Sequence, residues 1–289
     1  MAISLGGGGS ASVINETIDI NSLESLITLA DGRVYLKGGV TETDVAAYPD
    51  ATSSFAYTGT SFSVAGQMNY PGAIAWDGTH FWVLNSYQPD SVFKYTAAGV
   101  YTGTSFSVAS QGNDPNGITW DGTHFWVLSN GNDSVFKYTT AGVYTGTSFS
   151  VASQDNNPKG ITWDGAHFWV VGYTNKTVYK YNASGVYQNV SFSIAAQEPY
   201  PQGLTWDGTY FYVIGTGNNS FLKYSADGTF IANLISVYPQ ETSVQGIVAV
   251  GTDLWAIGLN NDTAYKYQPQ IGIVNQASTQ GRQNYVRIK

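Results

Sequence analysis

Cysteine is absent from this chain of 289 residues, and charged side chains make up only 11% of it. Without cysteine there is no disulfide, no thiol nucleophile and no thiolate metal ligand. Lysine and arginine number 12 against 20 aspartates and glutamates, which gives a net charge of −8. Because binding through phosphate contacts requires an excess of basic residues, the sequence predicts no nucleic-acid partner.

Long apolar runs are also missing. The sequence contains no stretch of about 18 apolar residues that could cross a membrane. The opening MAISLGGGGS has neither the basic region nor the apolar region of a signal peptide. We therefore predict a protein outside the secretory route that does not insert into membranes.

Aromatic residues and glycine are abundant: the chain has 8 Trp, 21 Tyr, 13 Phe and 33 Gly. Aromatic and β-branched residues favour strands, and glycine favours tight turns. The composition therefore predicts many short strands that are joined by turns.

The tripeptide Trp-Asp-Gly recurs at a nearly constant interval. It begins at Trp76, Trp120, Trp163 and Trp206, so the spacings are 44, 43 and 43 residues. Each copy lies in a unit with four short strand-like runs, and four antiparallel strands are the content of one β-propeller blade. The repeat therefore predicts a β-propeller with about 43 residues per four-stranded blade.

The number of blades depends on the degenerate copies at both ends. A fifth copy covers residues 246–268, and a weaker sixth copy is assembled from residues 26–36, 45–48 and 57–64. We therefore predict an all-β, six-bladed propeller. Residues 13–20 are an alternative strand that would complete the last blade.

The predicted domain organisation has three parts. Residues 1–25 form an N-terminal extension and attachment segment, residues 26–275 form the propeller, and residues 276–289 form a C-terminal tail.

Two sets of loops differ in how well they repeat. The turns between the first and second and between the third and fourth strands of a unit are nearly invariant. The loops between the second and third strands, and between successive units, change from copy to copy. In a propeller these two sets lie at opposite ends of the blades, which we call the turn face and the variable face.

The candidate ligand-binding or receptor-binding residues lie in loops of the variable face that differ from their sister loops. They are Tyr70, Tyr87, Asn113, Asp114, Asn156, Tyr173 and Tyr200. Amides and aromatic platforms suit sugar hydroxyls or a protein loop, although such residues are also common in any loop. The repeated strand aromatics, such as Trp126 and Tyr138, are instead predicted to pack between blades.

The sequence gives little indication of catalysis or metal binding. The sequence has no nucleophile elbow, P-loop or zinc-protease motif. The three histidines, His80, His124 and His167, occupy equivalent turn positions, which rotation about the propeller axis keeps apart. We therefore predict that the chain is not an enzyme and has no catalytic residue, metal or cofactor.

Acidic residues in the interblade loops leave one catalytic alternative open. Asp114, Asp155, Glu198 and Glu241 fall in consecutive loops of this set. Two carboxylates about 5–10 Å apart would suit glycoside hydrolysis, and a ring of them would also suit calcium.

The two ends of the chain differ from the repeats. The segment with INE at 14–16, LADGRVYLKGGV at 29–40 and YPDA at 48–51 resembles the opening of tail-fibre and related virion proteins of tailed bacteriophages. The ending GRQNYVRIK at 281–289 resembles endings of such proteins. The resemblance implies a location in the virion, attachment to other virion proteins through the N-terminal segment, and outward display of the repeats.

We therefore expect a non-enzymatic phage virion protein, tail-fibre-like or capsid-fibre-like, whose variable face recognises a host-surface glycan or protein. Two alternatives stay open: a decoration or adaptor protein of the virion, and a polysaccharide depolymerase that uses the acidic loops. A homo-oligomer is compatible with either role, although no long heptad region enforces one.

Overall fold

The computed structural model describes residues 26–28, 34–36, 55–269, 276–277 and 284–285. Two compact units are present, one formed by residues 55–268 and the other by residues 1–54 and 269–289. Among the described residues, none forms a helix with the length and apolarity that crossing a membrane requires. The predictions for residues 1–25 lie outside the described part.

The unit of residues 55–268 is a β-propeller of five blades, each an antiparallel sheet of four strands. The strands before the first repeat are β1 (Leu26–Thr28), β2 (Val34–Leu36) and β3 (Phe55–Ser63). The first blade comprises β4 (Pro71–Trp76), β5 (His80–Asn85), β6 (Ser91–Thr96) and β7 (Tyr101–Ser107). The second comprises β8 (Pro115–Trp120), β9 (Phe125–Ser129), β10 (Ser134–Tyr138) and β11 (Tyr144–Ser150).

The remaining blades follow the same order from the axis outward. The third comprises β12 (Pro158–Trp163), β13 (His167–Gly172), β14 (Thr177–Asn182) and β15 (Tyr187–Ser193). The fourth comprises β16 (Pro201–Trp206), β17 (Phe211–Gly215), β18 (Ser220–Tyr224) and β19 (Phe230–Ser236). The fifth comprises β20 (Val244–Val250), β21 (Asp253–Gly258), β22 (Thr263–Pro269) and, as its outermost strand, β3. In the other unit, β1 pairs with β2, and β23 (Gln276–Ala277) pairs with β24 (Asn284–Tyr285).

The prediction of six blades is wrong, because the weak first copy does not form a blade. β1 and β2 make a two-stranded sheet of their own, and residues 45–48 lie outside the described part. Residues 57–63 of that copy belong to β3, which completes the fifth blade instead. The prediction of an all-β propeller with four-stranded blades is confirmed.

The fifth copy of the repeat supplies only three strands of its blade, and the strand that completes this blade closes the ring. The fourth comes from the N-terminal side of the repeats, where β3 hydrogen-bonds to β22. At this junction the Val64 N–H donates to the Asp262 carbonyl at 2.7 Å, and the Thr58 hydroxyl donates to the Lys266 carbonyl at 3.2 Å. The first and last parts of the propeller are thus joined within a single sheet.

Small residues let the five inner strands approach one another around the axis. β4, β8, β12, β16 and β20 contact their neighbours in a closed ring. A Cβ atom at Gly160 would lie 2.8 Å from the backbone nitrogen of Leu204, and one at Gly246 would lie 2.8 Å from the Cα of Ala73. A larger side chain at either glycine would push neighbouring blades apart.

A separate hydrophobic core fills each of the five junctions between blades. Two aromatic positions recur in these cores, one on the second strand and one on the third. They are Trp82, Trp126, Trp169, Tyr212 and Trp255, and Tyr95, Tyr138, Tyr181, Tyr224 and Tyr267, all at most 5% exposed. The prediction that these aromatics pack between blades is confirmed.

The Asp of each Trp-Asp-Gly repeat holds the first hairpin of its blade. Oδ1 of Asp121 accepts the N–H groups of Thr123 and His124 at 2.8 and 2.7 Å, while Oδ2 accepts the indole N–H of Trp126 at 2.7 Å. Burial alone would raise the pKa of Asp121, but these hydrogen bonds together lower it. The turn face therefore repeats because its aspartates anchor the core aromatics.

Candidate functional site

The variable face contains every candidate residue that the sequence suggested. Tyr70, Asn113, Asp114, Asn156 and Tyr200 lie in interblade loops, and Tyr87 and Tyr173 lie in loops between the second and third strands. Because the strands of each blade alternate in direction, both kinds of loop emerge at the same end. The candidates extend over the first four blades, and their role in binding stays a prediction.

A repeated hydrogen bond anchors the interblade loops to the cores. In each blade the buried tyrosine of the third strand donates its hydroxyl to a glutamine side chain of the preceding loop. The pairs are Tyr95–Gln67, Tyr138–Gln111, Tyr181–Gln154, Tyr224–Gln197 and Tyr267–Gln240, at 3.1–3.5 Å. A glutamine 27 or 28 residues before each of these tyrosines was the sequence pattern that would have revealed this anchor.

Backbone hydrogen bonds join the two kinds of variable loop in every blade. The residue after the second strand donates its N–H to the carbonyl of the residue before the first strand. The pairs are Ser86–Tyr70, Asn130–Asp114, Tyr173–Asn157, Thr216–Tyr200 and Leu259–Ser243. The loop side chains are therefore displayed on a backbone that is held in place before any ligand binds, which lowers the entropic cost of binding.

One pair of candidate tyrosines lies on the first blade. The rings of Tyr70 and Tyr87 have centroids 5.0 Å apart and planes inclined by 47°. Tyr70 is 43% exposed and Tyr87 is 63% exposed. The pair forms an aromatic surface that is open to solvent and that no interblade core requires.

A second pair bridges the third and fourth blades. Tyr173 and Tyr200 are stacked, with centroids 6.0 Å apart and planes inclined by 24°. The Nζ atoms of Lys159 and Lys176 each lie 5.9 Å from the centroid of the Tyr173 ring. Two cations thus lie beside the half-buried Tyr173, which stacks on the exposed Tyr200. The sequence did not predict this combination, because neither lysine was among the candidate residues.

The polar candidates belong to loops of the second and third blades. Asp114 has a φ of 56°, and its Oδ2 accepts the side-chain N–H of Asn130 at 2.7 Å. Asn156 accepts the hydroxyl of Thr174 at 2.8 Å. Both side chains, like that of the neighbouring Asn113, are exposed. They form a hydrogen-bonding rim on the second and third blades.

Three of the four acidic loop residues are buried beneath the face. Asp155 is 3% exposed, and Glu198 and Glu241 are 0% exposed. Oδ1 of Asp155 accepts the N–H groups of Asn157 and Thr174, and Oδ2 accepts that of Asn175.

Glu198 makes equivalent bonds to the backbone N–H groups of Tyr200, Gly217 and Asn218. These carboxylates fasten loops, and only Asp114 of the four is exposed to a substrate. The pair required by the depolymerase alternative is therefore not assembled from these residues.

The histidines lie on the turn face at the positions that the repeat predicted. Nδ1 of His80 is 3.8 Å from Asp77, and Nδ1 of His167 is 3.4 Å from Asp164. Within the part of the chain that the structure describes, no group of three or more His, Asp or Glu side chains could hold a metal ion.

Two further features of the molecule were missed by the sequence analysis. Tyr238, in the loop between the fourth and fifth blades, is 61% exposed on the variable face. Its equivalents are alanines, Ala65, Ala109, Ala152 and Ala195, so the criterion that selected the other tyrosines would also have selected it.

The other missed feature is a cavity of about 100 Å³ on the axis near the turn face. Its walls include the buried hydroxyl-bearing side chains of Thr119, Thr162 and Thr205, and its rim carries Trp76, Trp120, Trp163 and Trp206. Since one water needs about 10–15 Å³ of such space, the cavity has room for a few water molecules or a small polar group. It lies at the end of the blades opposite the tyrosine pairs.

Comparison with known proteins shows the fold and no family. Neither a protein-family model nor a curated protein matches the chain. Among solved structures, a glutaminyl cyclase from Myxococcus xanthus matches with a TM-score of 0.60 at 11% identity, covering 74% of this chain and 95% of that one. A virginiamycin B lyase from Staphylococcus aureus matches with a TM-score of 0.46 at 17% identity, covering 89% of this chain and 85% of that one.

The likeness to the cyclase corrects one prediction. The prediction that the chain is not an enzyme is wrong. It was drawn from missing motifs, yet a protein named for a catalytic activity shares this fold. At 11% identity the likeness shows the fold alone. It transfers no activity to the residues of this chain.

Proposed function

We propose that this chain is a virion protein of a tailed bacteriophage that recognises a host-surface glycan or protein through the variable face of its propeller. The observation that carries the proposal is the pairing of tyrosines on that face, the exposed Tyr70 with the exposed Tyr87 and the half-buried Tyr173 with the exposed Tyr200. The phage assignment depends on the resemblance of the two chain ends to tail-fibre and related virion proteins.

The exposure of these tyrosines supports binding over packing. The core aromatics recur in every blade, whereas the paired tyrosines occur on particular blades. Tyr70, Tyr87 and Tyr200 are exposed, and Tyr173 is half-buried. Aromatic side chains are frequent anchors of protein interfaces, because they bury a large area and lose little conformational freedom. Sugar rings can stack on the same flat apolar surface.

Replacing Tyr70 and Tyr200 together with alanine removes one ring from each pair. We expect adsorption of the full chain to host cells to weaken by about 1–3 kcal/mol, the scale of interface hot spots. The melting temperature is expected to change little, since exposed loop substitutions usually alter stability by about 0.5 kcal/mol. Binding isotherms on intact host cells and thermal unfolding of the same preparations measure both effects.

Phe230→Ala is the matched control for that experiment. Phe230 is also exposed, but it lies where β19 begins, at the turn-face end of the fourth blade. We expect its removal to leave adsorption unchanged. If the double tyrosine variant adsorbs as well as the wild type, this face does not meet the host, and the adaptor alternative is preferred.

Deletion of residues 1–12 tests attachment to the virion. The propeller strands begin at Phe55, so we expect thermal unfolding of the propeller to be unchanged. Incorporation into particles, measured by mass spectrometry of purified virions, is expected to be lost. Normal incorporation of the shortened chain would contradict an anchoring role for this segment.

A further inference from the structure

Two lysines converge on one of the two tyrosine pairs. Lys159 lies on β12 and Lys176 just before β14, and both ammonium groups are 5.9 Å from the ring of Tyr173. Tyr200 stacks on that ring from the next blade. In a chain with only 12 basic residues and a net charge of −8, two cations beside one partly exposed aromatic pair are a distinct local feature.

Neither lysine has a carboxylate partner within the described residues. Nζ of Lys176 donates to the carbonyls of Tyr173 and Thr174 at 3.5 and 3.3 Å, and these bonds leave its charge uncompensated. Lys159 is half-buried, and burial lowers its pKa despite the opposing attraction of Asp114. A partly desolvated cation without an ion pair is stabilised when an anion binds beside it.

The buried carboxylates of the adjoining interblade loops do not form ion pairs with these cations. Asp155 and Glu198 each accept three backbone N–H groups. Their oxygens are therefore engaged in holding loops, and neither forms an ion pair with a lysine. Asp114 is the exposed acidic residue that acts on Lys159.

The tyrosine pair on the first blade provides an internal contrast. The position of Lys159 is occupied there by Gly72, and that of Lys176 by Asp90. The Tyr70–Tyr87 pair thus offers an aromatic surface without either cation. Charge separates the two pairs, and their ligands should differ in charge as well.

We propose that Tyr173, Tyr200, Lys159 and Lys176 form a subsite for a carboxylate-bearing sugar of a bacterial surface polysaccharide. The sugar ring lies against the aromatic surface, and its carboxylate accepts hydrogen bonds from the two ammonium groups. This inference depends on the proposed recognition of the host surface, and it selects an acidic glycan over a neutral glycan or a protein.

The test uses polysaccharide purified from the host surface, before and after chemical reduction of its carboxylates to alcohols. We expect the full chain to bind the native polymer and to bind the reduced polymer about tenfold more weakly, as for loss of a charged hydrogen bond. Lys159→Gln and Lys176→Gln are expected to weaken binding of the native polymer to a similar degree. Both variants are also expected to lose the preference for the native polymer over the reduced one.

Lys180→Gln is the matched control, because it changes the net charge equally. Lys180 lies over the ring of Trp169, at 5.1 Å, and not beside Tyr173. We expect its binding to match that of the wild type, and melting temperatures verify that all three variants fold. Equal binding of native and reduced polymer, or wild-type preference in both subsite variants, would overturn the acidic subsite.

The outcomes also separate this inference from the proposed function. A chain that binds host cells but not the polysaccharide retains its recognition role and refutes the sugar subsite. A chain that binds neither cells nor polysaccharide refutes both. Binding to both polymer forms alike refutes only the subsite.

Discussion

A chain that begins at residue 65 is expected not to fold cooperatively, whereas a chain that begins at residue 55 is expected to fold like the full protein. The shorter chain lacks β3 and leaves the fifth blade with three strands. It also loses Phe55 from the core between the fourth and fifth blades, and Phe62 and Val64 from the core between the fifth and first blades.

The size of this effect follows from the number of buried groups that are lost. Removing one buried Phe side chain typically costs about 3–5 kcal/mol, and domains are typically stable by about 5–15 kcal/mol. Loss of β3 also exposes the edge of β22. The combined loss is comparable to the whole stability of the propeller.

Circular dichroism during heating distinguishes the two truncated chains. A circular permutant that places residues 55–64 after residue 269 through a short linker serves as the rescue, because it restores the strand to the same edge. We expect this permutant to unfold in one cooperative transition. A cooperative transition of the chain from residue 65 at the wild-type temperature would contradict closure of the ring by β3.

Trp126→Ala is expected to cost about 3–5 kcal/mol of unfolding free energy, the range for large-to-small changes in a core. Trp126 is 3% exposed, and its ring centroid lies 4.7 Å from that of Phe168 and 5.8 Å from that of Phe149. The change opens a cavity between the second and third blades. The change also removes the indole N–H, which donates a hydrogen bond to Oδ2 of Asp121 at 2.7 Å.

Urea unfolding of the purified chain measures this loss. Trp126→Phe keeps an aromatic ring but not the indole N–H, so we expect it to lose less than the alanine variant. Tyr70→Ala, on the exposed face, is expected to change stability by about 0.5 kcal/mol or less. A loss below about 1 kcal/mol for Trp126→Ala would show that this indole does not support the junction.

The sequence predicted which residues lie on the variable face, but not which of them are in contact. The differences between sister loops identified Tyr173 and Tyr200 as members of one face. They did not show that the two rings stack, since that depends on how neighbouring blades are rotated about the axis. Lys159 and Lys176 were not selected, because a lysine in a loop indicates a solvent-exposed charge unless its neighbours in space are known.

The acidic residues of the interblade loops were considered as site residues, but the structure shows that three of the four are buried. Asp155, Glu198 and Glu241 were left open as a catalytic pair or a calcium site because they fall in consecutive interblade loops. Their burial arises from backbone N–H groups of another loop, such as those that reach Asp155 from Thr174 and Asn175. Every residue type except proline carries a backbone donor, so the identity of the donating residues did not predict these bonds.

By itself, the sequence determined the blade, the burial of its repeated aromatics and the separation of a turn face from a variable face. Each of these depends on contacts that recur with the period of the repeat, so one unit predicts the next. The tertiary structure alone decided the number of blades and the composition of the site. The bond from Val64 to Asp262 and the stacking of Tyr173 on Tyr200 join residues that belong to different repeats. Closure of the ring brings the first two together, and the rotation between neighbouring blades brings the other two together.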